Sequence, residues 1–404
     1  MKVLFLCYRP PWPPTCGPDN RVWQHLGWLA QKHAVTLVTF APEPGAAIPR
    51  RLAEACAEVH YVRLERWAAG VRAARALAGF IPLQVAYYDA PDVHRVVQGL
   101  LRRASWDLMY LNSVRIAPVG LASSTVPRLF DYLDAHSLQL RRRAEEVRGW
   151  RRWVFTLESR RLAAYERFLS RVFEQTIITS PLDAAAIGTD RPPQVVPVAA
   201  GAPVDVEGNV EGDYPHGNHN VGFIGDMRTA YSEVAILSFL ETIWPLVKQS
   251  FPNAVFWVVG RDPSRRVRAL ARSDVRVTGT VPSLRPFYQG VQVVVAPLRF
   301  GSGVKTKVLE AMAAAVPVVG TRFANEGADA APGVEMIVAD EPAAFAEAIV
   351  TLLRDDALRR QLGAAGGAFV ARQFGVEAVR GRFERAVEEA IARYHTAPSK
   401  AGGP

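Results

Sequence analysis

The stretch Val293–Thr321, VVVAPLRFGSGVKTKVLEAMAAAVPVVGT, decides how the chain is read. An apolar run, Val293 to Pro297, is followed by Gly301-Ser302-Gly303, by Lys305 and Lys307, and by helical spacing from about Thr306 to Ala315. A second apolar run, Val316 to Gly320, closes the unit. Strand, glycine-broken loop, helix and strand in that order predict one βαβ element. Glycines let a backbone approach a ligand closely, and a helix start offers unpaired N–H groups to an anion. The two lysines add positive charge. Glu310, one turn into the helix, is a carboxylate able to accept hydrogen bonds from hydroxyls such as a ribose diol. The same residues also fit an ordinary tight turn with solvated lysines, because short glycine motifs are common.

Working outward, the pattern repeats. Lys2 to Tyr8 reads as a buried strand, running into the proline-rich loop Pro10–Arg21. Val22 to Lys32 has helical spacing, and His33 to Phe40 reads as a second strand. Further strands are predicted at Val59–Leu64, Trp106–Leu111, Arg128–Leu133 and Gln175–Thr179, with helices between them. The polar, glycine-containing run from Glu207 to Asn220 marks a linker. Beyond it strand–loop–helix order starts again, with strands ending at Gly225, Gly260 and Gly279. The fold class expected is α/β, with two doubly wound, Rossmann-like domains facing a cleft. The boundaries expected are 1–205 for the first domain, 206–375 for the second, a terminal helix over 376–395 and a flexible tail over 396–404.

Composition narrows the function classes. The chain has 404 residues, 49% hydrophobic and 22% charged, which fits a soluble globular protein of more than one domain. Its three cysteines, Cys7, Cys16 and Cys56, have neither metal-site nor disulfide spacing, so a reducing, cytoplasmic compartment is expected. The apolar start, Met1 to Leu6, is cut off by prolines and reads as a strand rather than a signal peptide. The formal net charge of +9 calls for an anionic partner or reflects general arginine richness. No zinc-finger, RNP-type or helix-turn-helix signature supports nucleic acid. Leu138 to Phe173 is expected to be one long helical region in which arginines alternate with Trp150, Trp153, Phe155 and Phe168. Such a face suits an anionic membrane surface; it equally suits helices packed on the sheet with arginines paired to Glu145, Glu146, Glu158 and Glu166.

Ligands in doubly wound sheets sit at the carboxyl ends of strands. That rule selects Gly17 and Arg21 after the first strand, Asn112 after the fourth, and Asp131, Asp134 and His136 around the fifth.

The motifs VTGTVPSLRPFY, VVVAPLRFGSGVKTKVLEAMAAAVPVVGT and LRRQLGAAGGAFVARQF, taken in sequence, resemble the retaining glycosyltransferases of family 4, which have the GT-B architecture. The opening YRPPWPPTCGPDNR and the segment ESRRLAAYERFLSRVFEQTIITS are similar to the first domain of that family, in particular to bacterial exopolysaccharide-type sugar transferases. The resemblance covers nearly the whole chain and implies hexosyl transfer from a nucleotide-diphosphate sugar to an acceptor hydroxyl of a glycan, a lipid-linked sugar or a small molecule. It implies front-face substitution with retained configuration, no metal, and no cofactor besides the nucleotide sugar. Glu310 matches the family glutamate on the donor ribose, and Ser302 stands where a second glutamate is expected. Gly301, Ser302, Gly303, Val304, Lys305, Thr306 and Lys307 match the diphosphate loop, Val281 a position whose backbone meets the base, and Gly17 a phosphate- and acceptor-side loop. Asp226 replaces an expected arginine, whose charge Arg228 is expected to supply. Asn112 stands where a histidine is common, so catalytic roles are expected to rest on Asp134, His136 and Asn112, with Arg21 on the acceptor side. The terminal helix is expected to return to the first domain, and the enzyme to be cytoplasmic and peripheral to a membrane. The rival readings are a GT-B nucleotide-sugar epimerase and a nucleotide-sugar-binding subunit of low activity.

Overall fold

The computed structural model describes residues 1–13, 17–43, 45–201, 213–225, 227, 230–260, 262–281, 283–299 and 304–396, with backbone alone at 17, 18, 230 and 231. The chain divides into two units, Met1–Val198 with Val379–Pro404, and Ala199–Ala378.

The first unit is built on β1 (Lys2–Cys7), β2 (Ala34–Phe40), β3 (Glu58–Val62), β4 (Leu108–Asn112), β5 (Arg128–Asp131), β6 (Gln175–Ile178) and β7 (Gln194–Val195). They form one parallel sheet in the order β3-β2-β1-β4-β5-β6-β7. The central strands are buried on both faces, which is why they read as unbroken apolar runs such as Val3 to Leu6. The order reverses between β1 and β4, so the carboxyl ends of those strands open a crevice. Helices cover the sheet with amphipathic faces. Pro91–Arg103 is typical: Pro91 opens it, Asp92 lies in its first turn, Arg102 and Arg103 lie in its last, and Val93, Val97 and Leu100 face the core. The last helix, Val376–Thr396, packs here from residue 379 onward. Phe383 stacks on His25 with ring centroids 4.1 Å apart, and Lys32 pairs with Glu384 at 2.8 Å.

The second unit repeats the plan. β8 (Asn220–Ile224), β9 (Val255–Val259), β10 (Val275–Gly279), β11 (Val293–Ala296), β12 (Val318–Gly320) and β13 (Ile337–Val338) form a parallel sheet ordered β10-β9-β8-β11-β12-β13. Its switch point lies between β8 and β11. Phe223, Phe239, Trp244, Phe256 and Phe345 fill the core beside it.

Three features differ from the sequence reading. The expected single helical region over 138–173 is two helices, His136–Glu146 and Trp150–Val172, because Gly149 takes a left-handed φ of +68° between them. The edge strands β7 and β13 are two residues each, too short to show alternation. A short helix, Leu83–Tyr88, follows Pro82 in a stretch to which the sequence reading assigns no element.

Helix Asp356–Phe374 packs closely on the end of helix Thr306–Ala313. A Cβ on Gly363 lies 2.2 Å from the Ala315 carbonyl oxygen, so no side chain fits. Gly363→Ala is therefore expected to destabilise by about 1–3 kcal/mol through overpacking, although alanine is the better helix former by about 1 kcal/mol. Gly381→Ala, where the nearest atom is an Arg385 guanidinium nitrogen at 3.7 Å, is expected to gain stability instead. Urea denaturation of both variants checks the opposite signs.

Candidate functional site

In the second unit the opening stretch folds as β11, a loop, helix Thr306–Ala313 and β12. The helix begins at Lys305 with no side-chain cap, and the N–H groups of Val308 and Leu309 donate to the Lys305 carbonyl. The Lys305 side chain is buried. Lys307 reaches from the first turn to the end of β8. Its Nζ lies 4.7 Å from the centre of the Phe223 ring, and a Cβ on Gly225 would meet that Nζ at 3.0 Å and the Ser232 hydroxyl at 3.1 Å. An ammonium is thus held at the switch point of the sheet.

Glycine closes each of three neighbouring strands: Gly225 directly follows β8, Gly260 directly follows β9, and Gly279 is the last residue of β10. The Gly225 N–H donates to Val259 O at 3.0 Å, and the Gly260 N–H donates to Gly279 O at 3.0 Å. A Cβ on Gly260 would overlap the Gly225 carbonyl at 1.7 Å, and Gly279 has a φ of +72°. The carboxyl edge here is therefore made of backbone.

Glu310 lies one turn below Lys307. Burial pushes its carboxyl up to about 7, while the Tyr288 hydroxyl and the Lys307 ammonium pull it back. The buried Tyr288 hydroxyl faces that carboxyl without a hydrogen bond of standard geometry. Tyr288 was not singled out in the sequence, because one tyrosine in the short helix Arg285–Gly290 looks like core. Val281 and Val304 pack their side chains on the apolar core, which leaves their backbones as the groups available to a ligand. Thr306 is half-buried at the first helical position. Gly301, Ser302, Gly303, Asp226 and Arg228 lie outside the described residues.

In the first unit Gly17 opens helix Gly17–Ala30, and the structure corrects the reading of Arg21. Arg21 was expected to face an acceptor, but it is fully buried. Its Nε and Nη2 donate to the two Asp131 carboxylate oxygens at 3.2 and 3.0 Å, and its Nη1 donates to the Pro197 carbonyl at 3.0 Å and to the Val196 carbonyl. Tyr110 donates to Asp131 at 2.7 Å, and His25 Nδ1 lies 2.9 Å from the Tyr110 hydroxyl. The tyrosine proton is committed to Asp131, so His25 Nδ1 donates. Burial, then the Arg21 charge, lower His25 to about 4, so its imidazole is neutral. Burial opposes ionisation of Asp131, but Arg21 and His25 hold its carboxyl well below the usual range. Arg21 thus organises the strand ends from within.

Asp134 and His136 are brought together. His136 Nδ1 donates to the Asp134 carbonyl at 3.0 Å, and burial followed by the Arg115 charge lowers the imidazole to about 4. The Asp134 carboxylate accepts from Thr179 Oγ1 and Gln139 Nε2, each at 2.9 Å, while burial and the nearby Asp183 raise it to about 6. Asn112 is buried at the end of β4, paired in register with Asp131, and its Nδ2 has no hydrogen-bond partner. Ser113 and Leu133, just beyond β4 and β5, hold left-handed φ values of 78° and 67°. Neither side chain favours that region, and such strain gathers at functional strand ends. Local sequence carries no signal for it.

Residues 218–355 match the family described as glycosyl transferases group 1. That segment contains the Gly225 edge, Lys305, Lys307, Tyr288 and Glu310, so the match falls on the site of the second unit. Among curated proteins, the chain is 26% identical over 142 residues to an uncharacterized 44.6 kDa protein in the cps region of Klebsiella pneumoniae, covering 33% of this chain and 37% of that protein. It is 25% identical over 298 residues to the phosphatidyl-myo-inositol mannosyltransferase of Mycobacterium leprae, covering 70% and 74%. Among solved structures, sucrose-phosphate synthase from Thermosynechococcus elongatus superposes with a TM-score of 0.69 at 18% identity, over 97% of this chain and 99% of that one. Anabaena Alr3699/HepE, solved with UDP, gives 0.65 at 15% identity, over 96% and 100%. The fold is the GT-B one of these neighbours.

Glu310 generates a stability prediction. Its folded value near 7 lies above the ordinary 4.5, so ionising it in place becomes costly and stability is lost as pH rises between those values. Glu310→Gln removes that loss. Melting temperature, variant minus wild type, is expected to be more positive at pH 8 than at pH 5; an equal difference at both contradicts the assignment.

Proposed function

We propose that this protein transfers a hexosyl group from a nucleoside-diphosphate sugar to an acceptor hydroxyl, with retained anomeric configuration and without a metal. The observation that carries the reading is Lys307 Nζ and Glu310 converging beside the glycine-ended strands of the second unit, inside the segment that matches glycosyl transferases group 1. Glu310 accepts hydrogen bonds from the donor ribose. Lys305 and Lys307, with the uncapped start of helix Thr306–Ala313, stabilise the charge that develops on the departing diphosphate. Fixed cations and backbone dipoles can do this because they need no rearrangement as the bond breaks. Gly301, Ser302 and Gly303 precede these residues in sequence and Arg228 follows β8, and by the family resemblance they are assigned to the donor and Gly17 to the acceptor.

In the first unit, His136 is neutral with Nδ1 committed to a carbonyl, so its Nε2 is the basic atom. It sits with Asp134 and Asn112 at the strand ends where the acceptor hydroxyl is oriented. The UDP in the Anabaena structure favours a uridine diphosphate donor. The Mycobacterium mannosyltransferase favours an acceptor presented at a membrane. The first unit has a surface suited to that. Trp150 and Trp153, at the start of helix Trp150–Val172, are 72% and 68% exposed, and Phe80 is 95% exposed. Arg161 donates to the Leu77 carbonyl at 2.8 Å, tying the Phe80 segment to that helix, and the helix also carries Arg151, Arg152 and Arg160. Among the described residues no helix is long and apolar enough to cross a membrane, so this contact is peripheral.

Calorimetric titration with UDP-, GDP-, dTDP- and ADP-sugars is expected to select one nucleotide class, with UDP first. Glu310→Ala is expected to weaken that ligand by about 1–3 kcal/mol from lost charge-assisted hydrogen bonds. Lys305→Ala is expected to weaken the diphosphate more than the nucleoside. Binding without turnover of any donor sinks the transferase reading, and free epimerised nucleotide sugar replaces it with an epimerase. In flotation assays, vesicles containing phosphatidylglycerol are expected to carry the protein and neutral phosphatidylcholine vesicles to leave it behind. Trp150→Ala with Trp153→Ala is expected to abolish the difference.

A further inference from the structure

The turn that carries Asp134 and His136 is held by three buried carboxylates. The Leu133 N–H donates to Asp131 Oδ1 at 3.0 Å, and the Ala135 N–H donates to Asp183 Oδ1 at 3.1 Å. The Ser137 N–H donates to Glu166 Oε1 at 3.2 Å, the Ser137 hydroxyl donates to Glu166 Oε2, and the His136 N–H is bonded to the same carboxyl. Asp183 lies on helix Pro181–Ile187, and Glu166 lies in helix Trp150–Val172. Both are fully buried.

Glu166 is an unusual choice of cap. Helix His136–Glu146 starts after Ala135 and has no side-chain cap of its own. A serine or aspartate at residue 135 would satisfy the first N–H groups locally. The cap is instead a glutamate 29 residues beyond Ser137, and burying a carboxylate there is costly unless it is well bonded. What the remote cap adds is a tie between elements. The Tyr132 hydroxyl donates to the Glu166 carbonyl at 2.7 Å, and the Ser159 hydroxyl donates to the Ser137 carbonyl at 2.9 Å. The carboxyl therefore stands at a fixed point between β5 and both helices.

The His136 ring is fixed through its own Cα and through the Asp134 carbonyl, which accepts from Nδ1 at 3.0 Å. Both belong to the turn, so whatever sets the backbone of residues 134–137 also sets where Nε2 lies. We propose that Glu166 is a positioning residue, whose carboxylate holds the His136–Ser137 backbone and thereby aims the His136 ring.

The hold depends on ionisation. Burial raises Glu166 to about 7; the bonds from Ser137 and His136 oppose this, and Asp183 adds a like charge. Ionised, the carboxylate receives charge-assisted bonds and places negative charge at a helix start. Protonated, its O–H donates to the Ser137 hydroxyl, and the two N–H groups face a neutral acceptor. The hold therefore tightens as pH rises through about 7. The neighbouring groups titrate elsewhere. Burial and the Arg115 charge lower the His136 imidazole to about 4, and Asp134, raised to about 6, is bonded to Thr179 and Gln139. Tyr132 titrates well above the ordinary tyrosine range.

The role rests on the transferase reading for its effect on turnover; the link between Glu166 and the His136 backbone does not. Nuclear magnetic resonance of the full chain labelled with 15N-histidine reads that link. The His136 amide is expected to shift with a midpoint near pH 7, while the imidazole nitrogens stay those of a neutral ring with its proton on Nδ1. Glu166→Gln, which keeps the size and one acceptor oxygen, is expected to abolish the amide step. It is also expected to lower kcat at pH 8 by about tenfold or more with KM for the nucleotide sugar unchanged, and to remove the rise in kcat through about pH 7. Ser137→Ala keeps the carboxyl and removes one of its donors, so the midpoint is expected to move up by about one pH unit. No step in the wild type, a step retained in Glu166→Gln, or an unmoved midpoint in Ser137→Ala overturns the proposal. So does a Glu166→Gln protein with the kcat and pH profile of the wild type. A Glu166-dependent amide step in a protein that turns over no donor leaves the hold on His136 standing and removes the transferase reading.

Discussion

The buried pair between Arg21 and Asp131 is the constraint on which the first unit depends. A guanidinium with no exposed surface is tolerable only when its nitrogens are hydrogen-bonded and its charge is matched. Arg21 matches its charge with Asp131 and uses four of its five N–H donors on that carboxylate and two carbonyls, and in doing so it joins four separate pieces of chain: helix Gly17–Ala30, the end of β5, Tyr110 on β4, and the segment at Val196–Pro197 that leaves β7. Phe383 of the last helix covers the same cluster through His25. The strained ends at Ser113 and Leu133, and the Asp134–His136 turn beyond them, hang from this point. Leu133 even takes its backbone bond from it, donating its N–H to Asp131 Oδ1 at 3.0 Å. Positions at the strand ends are therefore set by an interior ion pair and not by the loops themselves.

The second unit solves the same problem with a different material. It has no buried guanidinium at the corresponding edge among its described residues. The ends of β8, β9 and β10 are brought together by removing side chains, and the Lys307 ammonium reaches that edge from the far side of the switch point. One sheet edge is thus organised by electrostatics and the other by close backbone approach, although both sheets run in the same order.

Much of this was legible in the sequence, and the reasons are physical. Buried parallel strands are apolar throughout, so Val3–Leu6 and Val293–Ala296 announce themselves, and glycine after a strand marks a place where Cβ cannot go. The position of Glu310 one turn after Lys307 was visible for the same reason. What was hidden depends on contacts across long separations. Arg21 looks like a loop cation until Asp131, 110 residues away, is seen against it. Tyr8, Trp12, Tyr61, Trp67, Tyr87 and Tyr88 line one cavity of the first unit, yet they share no motif and meet only because three strands end side by side. Gly149 was present in the sequence as a break, but the even run of arginines and tryptophans on either side of it masked the change of direction.

The three glycine-ended strands have a consequence for how such a protein can change over time. A wall made of main chain offers no side chain for substitution to alter, and any residue larger than glycine at Gly260 collides with its neighbour. The grip on whatever part of a ligand rests there is therefore fixed by the geometry of the sheet. Selectivity has to be rewritten among the side chains beside that wall, such as Lys307, Tyr288 and Glu310, each of which can be exchanged singly. The main-chain edge is in this sense conservative by construction, and the side chains beside it are where change can enter.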